Sequence, residues 1–126
     1  MEVSRLATPF PEGVFTAGCP TRTVLDHVMS KWAPLLVVAL SDGESLRWSE
    51  LRRRAQGVSE KMLAQTLRML EEDGLVLRDA KPVVPPHVEY SLTALGQDLA
   101  DRLVPLLEWI TDNADAILEE TRDTVR

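Results

Sequence analysis

The chain has 126 residues, 44% hydrophobic and 27% charged, with a formal net charge of −6, one cysteine and two histidines. That length fits one domain with a real core and leaves little room for an elaborate active site. Cys19 alone excludes an internal disulfide, and with only His27 and His87 beside it there is no zinc-ligand spacing, so neither metal nor cofactor is expected. The longest apolar run, Ala33 to Leu40, is interrupted by Pro34 and falls far short of the roughly 20 residues that cross a membrane. Met1 to Val14 lack both a basic start and an apolar signal core, so a cytoplasmic protein with no membrane partner is expected.

A net charge of −6 opposes nucleic-acid binding, which rests on cations that neutralise phosphates. The charge is unevenly spread. Residues 44 to 81 hold eight Lys or Arg against seven Asp or Glu, net +1, whereas residues 98 to 126 hold three against eight, net −5. The basic group is Arg47, Arg52, Arg53, Arg54, Lys61 and Arg68.

In chain order, residues 1–18 carry two prolines and two glycines without periodicity and read as an irregular arm, ahead of a domain over 19–126. Pro20 suits a first helical turn, and Val24, Leu25, Val28 and Met29 make an apolar stripe up to about Ser30. After Trp32, Pro34 can start a second helix, apolar on nearly every side and so expected to be fully buried; Ser41-Asp42-Gly43 stops it. Leu46-Arg47-Trp48 suits a very short strand, and Ser49 can cap a third helix through Gln56.

The most informative segment follows. Gly57 suits a tight turn, Ser59 an N-cap, and Leu63, Leu67 and Leu70 recur at helical spacing, which leaves Glu60, Lys61, Ala64, Gln65 and Arg68 on the opposite side. That face combines phosphate-binding cations with an amide able to read base edges, although a solvated surface helix has the same pattern. Gly74 ends the helix. Two β segments, Leu75 to Arg78 and Val88 to Leu92, flank a loop stiffened by prolines 82, 85 and 86, and a hairpin after a helix-turn-helix is the wing of a winged-helix domain. Thr93 then caps a long helix, about 93–122, whose apolar stripe includes Leu95, Leu99, Leu103, Leu106, Leu107, Ile110 and Ile117, with a bend expected near Pro105. The expected fold class is mainly α with a small β hairpin.

Cys19-Pro20, Lys31-Trp32, Arg47-Trp48-Ser49-Glu50-Leu51, the run Gly57 to Leu63, Gln65, Leu67-Arg68, Gly74-Leu75-Val76 and the run Val84 to Thr93 together resemble the HxlR-type winged helix-turn-helix regulators, over about residues 17 to 112. Each piece is weak alone, but the combined order and spacing are specific. The resemblance implies a bacterial transcriptional regulator that binds operator DNA as a homodimer, with terminal helices forming the interface. Two positions depart from the pattern. His87 stands where such proteins usually carry Arg after the paired prolines, and Lys81 replaces a usual aromatic. The wing is therefore expected to hold DNA more weakly, or with a pH dependence through His87, while Lys81 can restore a phosphate contact. An exposed wing histidine without a role is the alternative.

For DNA the expected contacts are Ser59 and Lys61 to phosphate, Gln65 to adenine, and Arg68 to guanine or phosphate, unless Arg68 pairs with Glu72 at i+4. Arg47, Arg52, Arg53 and Arg54 can clamp the flanking backbone, though consecutive residues on a helix cannot all face one way. Cys19 precedes a helix, whose dipole favours the thiolate, and Arg22 acts in the same sense. Some proteins of the resembled type use a cysteine here to sense oxidants or electrophiles; a small buried side chain at the dimer interface is the alternative. Trp32, Trp48 and Trp109 read as core or interface residues rather than a ligand pocket. No nucleophile has an adjacent base and no glycine-rich phosphate loop appears, so an enzyme is not expected. The reading is a homodimeric, sequence-specific regulator of double-stranded DNA with an unidentified effector or thiol-stress signal; the alternative is a winged-helix interaction module that has lost DNA binding.

Overall fold

The structure is a computed structural model and describes residues 13–85 and 87–125. Most of the expected irregular arm lies outside the described residues. The elements run α1 Pro20–Val28, α2 Ala33–Ala39, β1 Leu46–Arg47, α3 Trp48–Arg54, α4 Glu60–Glu72, β2 Val76–Lys81, β3 His87–Leu92 and α5 Ala94–Val125. The α+β class is as the residue pattern predicts. The wing is larger than a hairpin, however, because β1 pairs with β3 to make an antiparallel sheet of order β1-β3-β2. Leu46 faces Tyr90 and Arg47 faces Glu89 in that added pairing.

One apolar core joins the helices to the sheet. Leu36, Leu40, Leu51, Leu63 and Leu70 are wholly buried, with Leu46, Leu67, Val76 and Leu103 nearly so. Trp32 and Trp48 pack against this core. Removing any of these leucines would cost about 2–5 kcal/mol, because a close-packed interior relaxes little around a void. The short helix α2 is less covered than its composition predicts: Leu35 remains exposed although α2 meets α1, α3, α4 and α5.

Helix α3 begins two residues earlier than Ser49 as its cap would place it. Arg47 is the N-cap residue, and Glu50 supplies the capping group, its Oε1 accepting from the Arg47 N–H at 3.0 Å. A carboxylate in the first turn also suits the positive end of the helix dipole.

Thr93 does cap α5. Its Oγ1 accepts from the Gly96 N–H at 3.0 Å and donates to the Gly74 carbonyl at 2.7 Å, so one hydroxyl joins the end of α4 to the start of α5. Gly96 lets that joint close, since a Cβ there would lie 2.0 Å from the Leu75 carbonyl oxygen. From Thr93, α5 continues as one helix through Pro105. Gln97 anchors its first turns by donating to the Ser41 carbonyl beyond α2 at 3.1 Å. No helix among the described residues is long and apolar enough to cross a membrane.

Candidate nucleic-acid interface

Between α3 and α4 the chain turns through Gly57 at φ +94, a conformation that a Cβ would strain. Ser59 then starts α4, its Oγ accepting from the Met62 N–H at 3.1 Å. This uses a lone pair and leaves the hydroxyl proton available to a phosphate. Leu63, Thr66, Leu67 and Leu70 face the core, with Thr66 satisfied by donating to the Met62 carbonyl at 2.7 Å. At the far end Leu75 N–H donates to the Leu70 carbonyl at 2.9 Å and Gly74 N–H to that of Glu71 at 3.0 Å, the paired bonds of a Schellman stop.

On the outer side of α4, Lys61, Gln65 and Arg68 are exposed and make no hydrogen bond or ion pair among the described residues. Their spacing of four and three places them on one face. The Glu72 pairing considered for Arg68 is not formed. Three donors without internal partners form a face able to meet an acceptor-rich polymer.

The three consecutive arginines divide by role. Arg54 turns back, its Nη1 donating to the Ala39 carbonyl at 2.9 Å and lying 4.0 Å from Asp42, so it holds α3 against the end of α2. Arg52 is exposed and 3.4 Å from Glu60 in the first turn of α4. Arg53 is exposed without an ion pair among the described residues, and Arg47 is exposed where β1 enters α3.

On the wing, Lys81 and His87 face each other across the last register pair of β2 and β3, with Asp79 opposite Glu89 two residues inward. Lys81 Nζ donates to Asp79 Oδ2 at 2.6 Å, and His87 Nε2 lies 2.5 Å from Glu89 Oε2. The hydrogen bond and charge of Asp79 raise the Lys81 ammonium above its ordinary pKa. Both residues that depart from the resembled pattern thus carry an acidic neighbour, which dilutes the wing's positive potential. Val83 and Val84 are exposed at the tip, with Val84 98% accessible.

Cys19 sits at the N-cap position of α1 and is 6% accessible. Arg22 lies 4.0 Å from Asp26 and donates to the Phe15 carbonyl at 3.5 Å. Val24 and Leu25 on α1 and Met29 at its C-cap are exposed, as are Leu95, Leu106, Trp109, Ile110 and Leu118 on α5. Trp109 is therefore not part of this chain's core; at 56% accessible it belongs to an uncovered helix face.

A helix-turn-helix whose second helix presents free donors, flanked by an antiparallel wing, defines a winged helix-turn-helix protein. The chain belongs to the HxlR-like helix-turn-helix family, whose model matches residues 27–117. It is 51% identical over 114 residues, 90% of each chain, to the uncharacterized HTH-type transcriptional regulator YtfH of Escherichia coli. The solved structure of the transcriptional regulator ytfH from Salmonella typhimurium superposes with a TM-score of 0.81 at 51% identity, covering 87% of this chain and 97% of that one. The redox regulator HypR in its oxidized form superposes with a TM-score of 0.69 at 39% identity, over 75% and 97% of the two chains. These relationships place the chain among helix-turn-helix transcriptional regulators.

Proposed function

We propose that this protein is a sequence-specific, homodimeric regulator that binds a palindromic operator through α4. The observation that carries this reading is the exposed row of Lys61, Gln65 and Arg68, which has no partner among the described residues. Gln65 reads base edges, Ser59, Lys61 and Arg68 hold phosphates, and Arg47, Arg52 and Arg53 neutralise the flanking backbone. Lys81 and His87 touch the backbone from the wing, weakly because Asp79 and Glu89 share their charge.

The uncovered apolar faces of α1 and α5 support dimerisation through the terminal helices, each buried Leu, Ile or Trp contributing about 1.5–3 kcal/mol. Symmetry makes the partner a second copy and sets the two α4 helices about one DNA turn, ~34 Å, apart. Cys19, heading α1 on that side, supports a response to thiol-modifying stress, as does the likeness to a redox regulator.

Selection of random duplexes by the purified protein, followed by salt titration, tests this. A palindrome with half-sites one turn apart and affinity that falls steeply with salt is expected. Failure to bind any duplex would leave the alternative of an interaction module.

A further inference from the structure

Beside α4 lies a cleft of about 130 Å³ lined by Trp48 of α3, Ala64, Leu67, Arg68 and Glu71 of α4, Arg78 of β2 and Tyr90 of β3. Its apolar floor comes from Trp48 and Leu67, and two guanidiniums stand at its rim. Arg78 faces Tyr90 in the β2–β3 register, so both project to one side of the sheet, toward α4. Arg78 is exposed and, like Arg68, has no ion pair among the described residues.

Tyr90 adds a third donor to the cleft. The residue is 8% accessible, but its hydroxyl, which makes no hydrogen bond among the described residues, is not a buried unsatisfied atom and so reaches solvent. A phenol held in place by its buried ring and open at its hydroxyl is free to donate to an oxygen acceptor in the cleft. Glu71 is the one carboxylate on the lining, set against two cations.

We infer that this cleft seats one backbone phosphate of bound DNA, held by the guanidiniums of Arg68 and Arg78 and by the Tyr90 hydroxyl. The inference rests on the DNA-binding reading, because the cleft opens beside the exposed row of α4 and shares Arg68 with it. A phosphodiester offers anionic oxygens to all three donors, and guanidinium geometry matches it. The volume admits a phosphate. The seat makes the root of the wing, rather than its charge-balanced tip, the wing's main hold on DNA.

The test uses Tyr90→Phe, Arg78→Ala and Glu71→Gln in the full chain on a random-sequence duplex, because a phosphate contact is independent of sequence. Tyr90→Phe keeps the ring and removes a hydroxyl that has no protein partner, so its thermal unfolding should match wild type. Its DNA affinity should fall roughly three- to tenfold. Arg78→Ala should weaken binding to all duplexes equally and flatten the log–log salt dependence by about one unit. Glu71→Gln should strengthen binding.

Wild type that binds while Tyr90→Phe and Arg78→Ala bind equally well would overturn the phosphate seat and leave the DNA reading standing. Wild type that shows no salt-dependent binding would overturn that reading itself. Inorganic phosphate that raises the melting temperature of wild type but not of Arg78→Ala, with DNA affinity the same in both, would reassign the seat to a free small anion and overturn the inference.

Discussion

The imidazole Nδ1 of His27 lies 2.8 Å from Oδ2 of Asp73, joining α1 to the C-cap of α4 across 46 residues of sequence. A carboxylate at a helix C-terminus opposes the dipole, so Asp73 is tolerable there because His27 offsets it. The pair ties a helix with an uncovered apolar face to the helix that carries the exposed donors. His27→Ala should lower unfolding free energy by about 1 kcal/mol, as half-exposed pairs do, measured by urea titration. Asp73→Asn in the His27→Ala background should restore part of that loss, since the uncompensated charge is then gone. An additive further loss would refute this account of the pair.

Gly96→Ala separates helix propensity from packing. Propensity alone favours Ala by about 1 kcal/mol in a helix. The Leu75 carbonyl, 2.0 Å from the added Cβ, must instead be pushed away. A net destabilisation of about 3 kcal/mol is expected by thermal or chemical unfolding. Unchanged or raised stability would mean that the joint between α4 and α5 is looser than its geometry.

The exposed row on α4 should divide by chemistry. Gln65→Ala should cost about 1–3 kcal/mol on the selected operator and relax base preference at its position. Lys61→Ala and Arg68→Ala should weaken every duplex alike. These are read from competition binding against operator variants, and equal losses on operator and random DNA for Gln65→Ala would remove it from base reading.

Trp109→Asp with Ile110→Asp, on the uncovered face of α5, should leave the fold intact and give a monomer in sedimentation equilibrium. Burying unpaired carboxylates in an apolar interface is costly, whereas on an exposed face they are solvated. Operator affinity should fall more than affinity for a single half-site, since the monomer loses its linked second contact. A variant that remains dimeric would place the interface elsewhere.

For Cys19 the expected outcome is that a thiol oxidant alters the operator affinity of wild type and leaves Cys19→Ala unchanged. Equal responses in both, or none in either, would make Cys19 a packing residue, consistent with its 6% accessibility.

Local chemistry made much of this legible in the sequence. Ser59, Leu63, Leu67 and Leu70 mark the start and inner face of α4, because capping and helical periodicity act over a few residues. Thr93 announces α5 for the same reason. Lys61, Gln65 and Arg68 could be read as an outward row from spacing alone. Ser49 looked like a cap because its hydroxyl suits one, but Glu50 reaches back to the Arg47 N–H and the helix starts two residues earlier. Trp109 looked like core by its size, although its environment is set by what a second helix face covers.

The sequence by itself determined the order of elements, the apolar positions and the exposed donor row, since each follows from periodicity, caps and turn chemistry within about a dozen residues. Only the tertiary structure decided which charges are spent on the protein itself. Arg54 bonds Ala39, His27 meets Asp73, and Lys81 and His87 are shared with Asp79 and Glu89, while Arg68 and Arg78 form no ion pair among the described residues. Such pairings depend on distances between elements far apart in the chain, as does the cleft where Tyr90 of β3 comes to face α4. Periodicity assigns a side chain to a face; folding brings the faces together and leaves some donors unsatisfied.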